Sequence, residues 1–190
     1  AYQDRIGFIQ KVFSDGSVKS ERGNLGNADL NGLESLIDFN LSELLNFDIT
    51  IYSLKSFFNY SFIKSKYTES TTPGIVGKNV EFVPENNFKT GLQFGYKNLA
   101  ANVQYSFVSD QFTDSSNAIE GNLSGVIGLI PSYSLLDFSG SYSLNNIKLE
   151  FGINNLLNEA YFTRRATGYP GPGIIPSPNR NIYISTQIKF

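Results

Sequence analysis

The sequence predicts an all-β protein, an antiparallel transmembrane β-barrel wall of about eight strands. Three observations lead to this fold class. Aromatic residues make up 14% of the 190 residues, with 16 Phe and 11 Tyr beside 17 Gly, and this composition favours strands and turns. Apolar and polar residues alternate with period two in several segments. The connections between these segments are short turns and long polar or Gly/Pro-rich loops, in alternation.

Eight segments carry the alternation, and each is predicted to be a strand with unlike faces. In chain order they span residues 2–13, 33–41, 54–62, 88–97, 99–107, 136–144, 147–154 and 181–190. The first segment has the weakest pattern and the last has the clearest. A turn or bulge is expected near residues 51–53, because the apolar residues at positions 47, 49 and 51 are out of phase with the strand that follows.

The connections are predicted to sort by length. Short turns are expected near residues 43–51, 97–98 and 145–146, where Asn145 and Asn146 tolerate the positive φ of a tight hairpin. Long loops are expected at residues 14–26, 68–87, 111–131 and 163–179. Short turns at one end and long loops at the other are typical of outer-membrane barrels.

The distribution of side chains favours lipid on the apolar face. The opposite face carries Lys, Glu, Gln, Asn, Asp and Ser at nearly every step, which suits a wetted or plugged lumen. Aromatic residues recur near strand ends, as expected for an interfacial girdle; they are Phe88, Tyr96, Phe107, Tyr133, Tyr161 and Tyr183.

Composition also excludes several function classes. The chain has no Cys and no His, so it has no disulfide, thiolate site or imidazole ligand, and nothing that would activate a nucleophile. An enzyme is therefore not expected, and no resident cofactor or metal site is predicted. The net charge of −2 does not suit nucleic-acid binding. The chain also has no Met, which suggests either a removed leader or a piece of a longer protein.

Several motifs make the family recognisable. Residues 133–165 contain Tyr133-x-x-x-Asp137, then Asn154-Asn155-Leu156, then Tyr161-Phe162. The stretches NLGNADLNGLE (24–34) and SDQFTDSSN (109–117) add to the pattern. Together they resemble the C-terminal part of TonB-dependent outer-membrane receptors. TRRATGYPGPGIIPSPNR (163–180) is similar to the last extracellular loop of the ferric-citrate-type branch.

The resemblance implies a larger architecture. Receptors of this family have 22 strands and a separate plug in the lumen, so residues 1–190 would be the C-terminal portion of the barrel domain, strands 15 to 22. The plug and the earlier strands would be absent from this chain. The implied function is TonB-driven uptake of a ferric chelate, of ferric citrate or siderophore type, across the bacterial outer membrane. Long loops would be extracellular, and short turns and both chain ends periplasmic.

The resemblance also implies partners and site residues. Partners would be outer-membrane lipid and lipopolysaccharide, the plug and remaining strands, the TonB complex and the barrel-assembly machinery. Guanidinium groups suit the carboxylates of a ferric chelate, so Arg164, Arg165 and Arg180 are expected ligand contacts in the last loop. Tyr169 of the same loop is expected to contact the ligand beside them. The terminal strand resembles the assembly signal of outer-membrane barrels; its residues are Ile182, Ile184, Ile188 and Phe190.

Other interpretations remain at this stage. The arginines would also suit lipopolysaccharide phosphates or a solvated loop. Asp110, Asp114 and Glu120 match no calcium-loop spacing, so solvated acids are expected there. The lumen-facing charges would hold the plug as a set or simply line a wetted wall; they are Glu34, Lys89, Lys97, Asp137, Lys148 and Glu150.

The whole chain also has two competing interpretations. It would be a complete small eight-stranded barrel with a structural or adhesive role, or a soluble ligand-binding barrel. Hydrogen bonding between segments 2–13 and 181–190 would close the barrel and support either of these over a piece of a larger receptor.

Overall fold

The computed structural model describes residues 2–12, 18–168 and 171–190, and strands dominate them. The elements in chain order are β1 (Tyr2–Val12), β2 (Val18–Asn40), α1 (Leu41–Leu44), β3 (Tyr52–Glu69), β4 (Asn86–Tyr96), β5 (Leu99–Val108), β6 (Gln111–Phe112), β7 (Leu129–Ile130), β8 (Tyr133–Leu144), β9 (Ile147–Asn154), β10 (Phe162–Ala166), β11 (Gly173–Pro176) and β12 (Asn181–Ile188). No helix among the described residues has the length and apolar character needed to cross a membrane.

One large sheet confirms the eight predicted strands. Its order is β1-β2-β3-β4-β5-β8-β9-β12, and every neighbouring pair is antiparallel. The pairs β6-β7 and β10-β11 form two small separate sheets inside long loops. Among the described strands, β1 and β12 lie at opposite ends of the order and no pairing joins them.

Predicted boundaries were wrong in four places. Residues 18–26 belong to β2, which has 23 residues and pairs with β1 over this stretch; the sequence VKSERGNLG shows no period-two alternation that would predict a strand. The segments 111–131 and 163–179, expected to be loops throughout, contain the small sheets. β12 ends at Ile188, although Lys189 still donates its N–H to the Asn146 carbonyl at 2.8 Å.

The outer face of the sheet is apolar across strand boundaries. Cross-strand pairing places Leu92, Val103, Phe138, Ile153 and Ile182 in one row over five strands. Nothing in the described structure covers this face: Leu92 is 45% exposed and Ile182 69%. A contiguous apolar surface of this extent is unstable in water and stable against lipid.

The inner face is mostly polar. The neighbouring row reads Gln93, Asn102, Ser139, Gly152 and Tyr183. The prediction of a six-residue aromatic girdle was therefore partly wrong. Phe88, Tyr96 and Phe107 have the register of the outer face, but Tyr133 and Tyr183 have that of the inner face. A position near a strand end predicts a girdle residue only where the residue also shares the apolar phase of its strand, and Tyr183 alternates with Ile182 and Ile184. Tyr161 lies outside the strands.

The predicted lumenal charges are on this inner face with one exception. Glu34, Lys89, Asp137, Lys148 and Glu150 share its register, and Lys148 forms an ion pair with Glu150. Lys97 is instead a turn residue with φ of 50°, and its Nζ lies 5.2 Å from the centre of the Tyr96 ring.

Aromatic rings cover glycines on neighbouring strands. The Phe57 ring lies over Gly91 and the Tyr183 ring over Gly152, both on the inner face. On the outer face Phe151 covers Gly140 so closely that a Cβ there would be 2.6 Å from the ring. The glycines leave space that no other residue would leave, and the rings fill it.

The turns at one end are short and ordered. The connection between β2 and β3 contains α1, and Ser42 is buried there with its Oγ accepting the Leu54 N–H at 2.5 Å. The side-chain and backbone hydrogen bonds from Thr50 lower the pKa of the exposed Asp48 carboxyl from its usual value. Asn145 has φ of 51°, as predicted for a tight hairpin.

The apolar core lies at the opposite end of the sheet. The loop 70–85 packs over the extended β2-β3 pair and buries Leu25, Ala28, Tyr67, Ile75 and Val80. At about 3.3 Å per residue, β2 is roughly 75 Å long, whereas a membrane-spanning strand needs only about 9–11 residues. This end therefore extends well beyond the apolar outer band and carries the long loops.

Candidate functional site

Three long connections meet at the long-loop end, and hydrogen bonds join them in series. Asn117 of the 109–132 loop uses its side-chain amide like a strand backbone: Oδ1 accepts the Asn79 N–H at 2.7 Å and Nδ2 donates to the Asn79 carbonyl at 2.8 Å. Phe82 donates its N–H to the Phe112 carbonyl at 2.9 Å. The 70–85 and 109–132 loops are therefore attached to each other.

The motif pairing Asp137 with Asn155 has a structural explanation. Asn155 is buried at 3% exposure and has φ of 53°. Its N–H donates to Asp137 Oδ1 at 2.8 Å, and its side chain exchanges hydrogen bonds with Glu159 at 2.8 and 2.9 Å. This network turns the chain out of β9 and fixes the start of the last loop.

The predicted ligand arginines have different surroundings. Arg164 is exposed, and within the described residues its guanidinium makes no hydrogen bond or ion pair. Arg165 is half-buried and donates to two carbonyls of the 109–132 loop. Arg180 is exposed next to β12, and its backbone N–H donates to Asn158 Oδ1 at 3.1 Å. Tyr169 lies outside the described residues.

The acidic candidates are dispersed. Asp110 and Glu120 are exposed, and Asp114 accepts the Ser116 N–H at 2.9 Å in a local turn. The described residues contain no group of three acidic side chains placed to hold a metal ion. A cleft of about 460 Å³ between β3 and the loops has Lys64, Lys66, Glu85 and Asp110 in its wall, so its charge is mixed.

The residues of the predicted assembly signal share the outer face of an edge strand. Ile182, Ile184 and Ile188 are 69%, 78% and 51% exposed, and Phe190 is fully exposed beyond the strand. The Asn146 side chain donates to the Lys189 carbonyl at 3.0 Å, which holds the chain end against the β8-β9 turn.

Sequence reasoning missed the residues that connect the loops. Asn79, Asn117 and the glycines at 121, 125 and 128 belong to polar stretches without periodicity. Their one usable signal was the close Gly spacing in GNLSGVIG (121–128), which indicates backbone packed tightly against another group.

Comparison with known proteins identifies similar folds. Residues 2–156 match the family described as TonB dependent receptor-like, beta-barrel. No curated protein sequence matches the chain. Among solved structures, the unliganded ferric citrate transporter FecA matches with a TM-score of 0.75 and 23% identity, over 95% of this chain and 26% of that one.

Two further solved structures are similar. The ferric yersiniabactin uptake receptor FyuA from Yersinia pestis has a TM-score of 0.69 and 19% identity, over 90% of this chain and 25% of that one. The copper transporter OprC has a TM-score of 0.68 and 18% identity, over 99% of this chain and 27% of that one. The chain thus spans about a quarter of the length of the solved structures it matches.

Proposed function

This chain belongs to the TonB-dependent receptor β-barrel family, and we propose that it forms part of the barrel wall of an outer-membrane receptor that takes up a ferric chelate. The observation that carries the proposal is the family match over residues 2–156, together with an open sheet whose outer face is apolar. Such a wall acts by holding loops and excluding lipid, and it needs no covalent chemistry.

The proposed substrate is a ferric chelate of ferric citrate or siderophore type. The chain offers no His and no Cys, and the described residues contain no group of acidic side chains placed to hold a metal ion, so we expect iron to meet this wall as a chelate. Arg164 and Arg180 are exposed at the long-loop end, and a guanidinium pairs well with the carboxylates of citrate. The resemblance of the last loop to the ferric-citrate-type branch and the similarity to FecA support the same substrate class.

The proposed architecture is the C-terminal third of a 22-stranded barrel, with a plug and earlier strands elsewhere in the receptor. Coverage of about a quarter of each solved relative supports this, as do the unjoined strands β1 and β12. The long loops would face the cell exterior and meet lipopolysaccharide, and the short turns and chain end would face the periplasm. The chelate would bind on the loops and plug, and energy from TonB would then rearrange the plug.

Binding of ferric citrate to the intact receptor in outer-membrane vesicles tests the proposal. We expect Arg164→Ala to weaken binding by roughly tenfold, the size of one lost charge-assisted hydrogen bond. Lys97→Ala is the matched control, because Lys97 is a cation in a turn at the opposite end of the sheet. Absence of binding by the parent protein would refute the citrate assignment. Equal affinities of the parent, Arg164→Ala and Lys97→Ala proteins for ferric citrate would show that Arg164 does not contact the ligand.

A further inference from the structure

The adjacent residues Arg164 and Arg165 have opposite orientations in β10. Successive side chains of a strand point to opposite faces, and the pairing of Arg164 with Ile175 and Arg165 with Ile174 follows this alternation. Arg164 is exposed, whereas Arg165 is half-buried. One backbone therefore sets the directions in which both side chains leave the strand, so holding Arg165 holds the Arg164 backbone and the face from which its side chain projects.

Arg165 connects two loops through its planar guanidinium. Its Nη1 donates to the Gly125 carbonyl at 2.8 Å and its Nη2 to the Leu129 carbonyl at 2.9 Å. The guanidinium carbon lies 5.2 Å from the centre of the Phe162 ring, within the range of a cation–π contact. A lysine ammonium has no planar pair of donors and would not reproduce both bonds together with the ring contact.

Glycines shape the space around the Arg165 guanidinium. A Cβ at Gly128, where φ is +136°, would lie 3.2 Å from both Cζ and Nη2, and a Cβ at Gly121 would lie 3.5 Å from Nη1. Gly125, with φ of +70°, contacts Gly173 of β11 so that a Cβ would be 3.2 Å from the Gly173 Cα. The close spacing of glycines in 121–128 is thus explained by the Arg165 guanidinium, which the loop backbone approaches from several sides.

The same loop is also held from its other side. Asn117 forms its paired hydrogen bonds with Asn79 of the 70–85 loop, and Thr113 exchanges hydrogen bonds with Gly128 at 2.8 and 3.0 Å. The segment that receives Arg165 is therefore itself anchored to the apolar core around Tyr67.

We propose that Arg165 is a positioning residue that joins the β10-β11 hairpin to the 121–130 segment, so that the two loops present Arg164 to the chelate as one body. The inference rests on the proposed function for its ligand, but the joining of the loops stands on the hydrogen bonds alone. Arg165 was one of the four predicted ligand contacts. In this proposal it does not touch the chelate and instead acts by positioning Arg164.

Distances between the two loops test the joining without any ligand. Spin labels at Ser124→Cys and Thr167→Cys in the intact receptor meet no native Cys in this chain, and both sites are exposed. We expect a narrow distance distribution in the parent and in Arg164→Ala, and a broadened one in Arg165→Lys and Gly128→Ala. Narrow distributions in both of the latter variants would overturn the proposal.

Ferric citrate titration of the same variants tests the consequence for binding. We expect Arg164→Ala to lose affinity without loop movement, and Arg165→Lys to lose roughly tenfold with a broadened distribution. Loss of affinity in Arg165→Lys with unchanged distances would mean direct contact and would overturn the positioning role. If the parent does not bind ferric citrate, the substrate assignment fails, while the distance measurement still decides whether Arg165 joins the loops.

Discussion

Replacing Asn155 should destabilise the start of the last loop. The loss of free energy has two parts, one from side-chain hydrogen bonds and one from the backbone conformation. Asn155→Ala removes two side-chain hydrogen bonds with Glu159, at 2.8 and 2.9 Å, worth about 1 kcal/mol each, and a long one to the Pro178 carbonyl at 3.4 Å that adds little. It also leaves alanine at φ of 53°, which costs about 1 kcal/mol more. Asn155→Gly loses the same bonds and keeps an unstrained backbone. We therefore expect losses of about 3 and about 2 kcal/mol respectively.

Hydrogen exchange of the intact receptor measures this local opening. A loss of about 3 kcal/mol speeds exchange by more than 100-fold, and the Ala and Gly variants should differ by roughly fivefold. The reporters are the amides of Leu156 and Asn158, which bond to the Leu136 and Asn155 carbonyls at 2.6 and 2.9 Å.

A neighbouring asparagine provides the control. Asn154 is exposed, and its side chain donates only to Asn181 Oδ1 at 2.9 Å, so Asn154→Ala should change exchange little. If Asn155→Ala exchanges no faster than Asn154→Ala, the network is not what holds this loop. If the Ala and Gly variants of Asn155 exchange at the same rate, the positive φ at this position does not cost alanine the expected free energy.

Three other predictions address the sheet, a turn and assembly. Gly140→Ala should destabilise the barrel by about 1 kcal/mol, because its Cβ would lie 2.6 Å from the Phe151 ring, which would have to turn away on its exposed face; a midpoint of guanidinium unfolding equal to the parent's would contradict this. Ser42→Ala should cost about 1 kcal/mol, because it removes the acceptor of the half-buried Leu54 N–H, and Ser42→Thr, which keeps the hydroxyl, should recover part of the lost thermal stability. Deleting Phe190 should lower the amount of receptor in the outer membrane while Phe190→Tyr preserves it, measured by surface labelling; equal labelling of both variants would argue against a terminal signal.

Alternation predicted the membrane part of the sheet because lipid on one side and water on the other impose it on every residue. Ile147–Asn154 and the strand beside it show this most clearly. Residues 18–26 of β2 lie beyond the length that a membrane-spanning strand needs. Their sequence carries no period-two alternation, so they were predicted to be a loop. The alternation already places Tyr183 opposite Ile182 and Ile184, and the pairing register confirms this phase; the girdle prediction failed because it used only the position of Tyr133 and Tyr183 near strand ends.

The sequence predicted which residue types lie in the candidate site but not how they are arranged. The sequence places Arg164, Arg165 and Arg180 in one loop and predicts that cations lie at that end. It contains nothing that separates Arg165 from Arg164, because the carbonyls that receive Arg165 are 40 and 36 residues away. Every residue has a backbone carbonyl, so a hydrogen bond to a carbonyl does not require a particular residue type at the acceptor position. The only sequence trace of the Arg165 bonds is the set of glycines that leave space for the guanidinium.

The ring-covered glycines have a consequence for how the wall is assembled. Phe57, Phe151 and Tyr183 each lie over a glycine of the adjoining strand, in three of the seven seams of the sheet. If a strand docked two residues out of place, the same alternation of faces would survive, and hydropathy alone would not detect the mistake. The ring would then meet a side chain, as Tyr183 would meet Glu150 or Asn154. The three pairs therefore favour the observed register over one shifted by two residues.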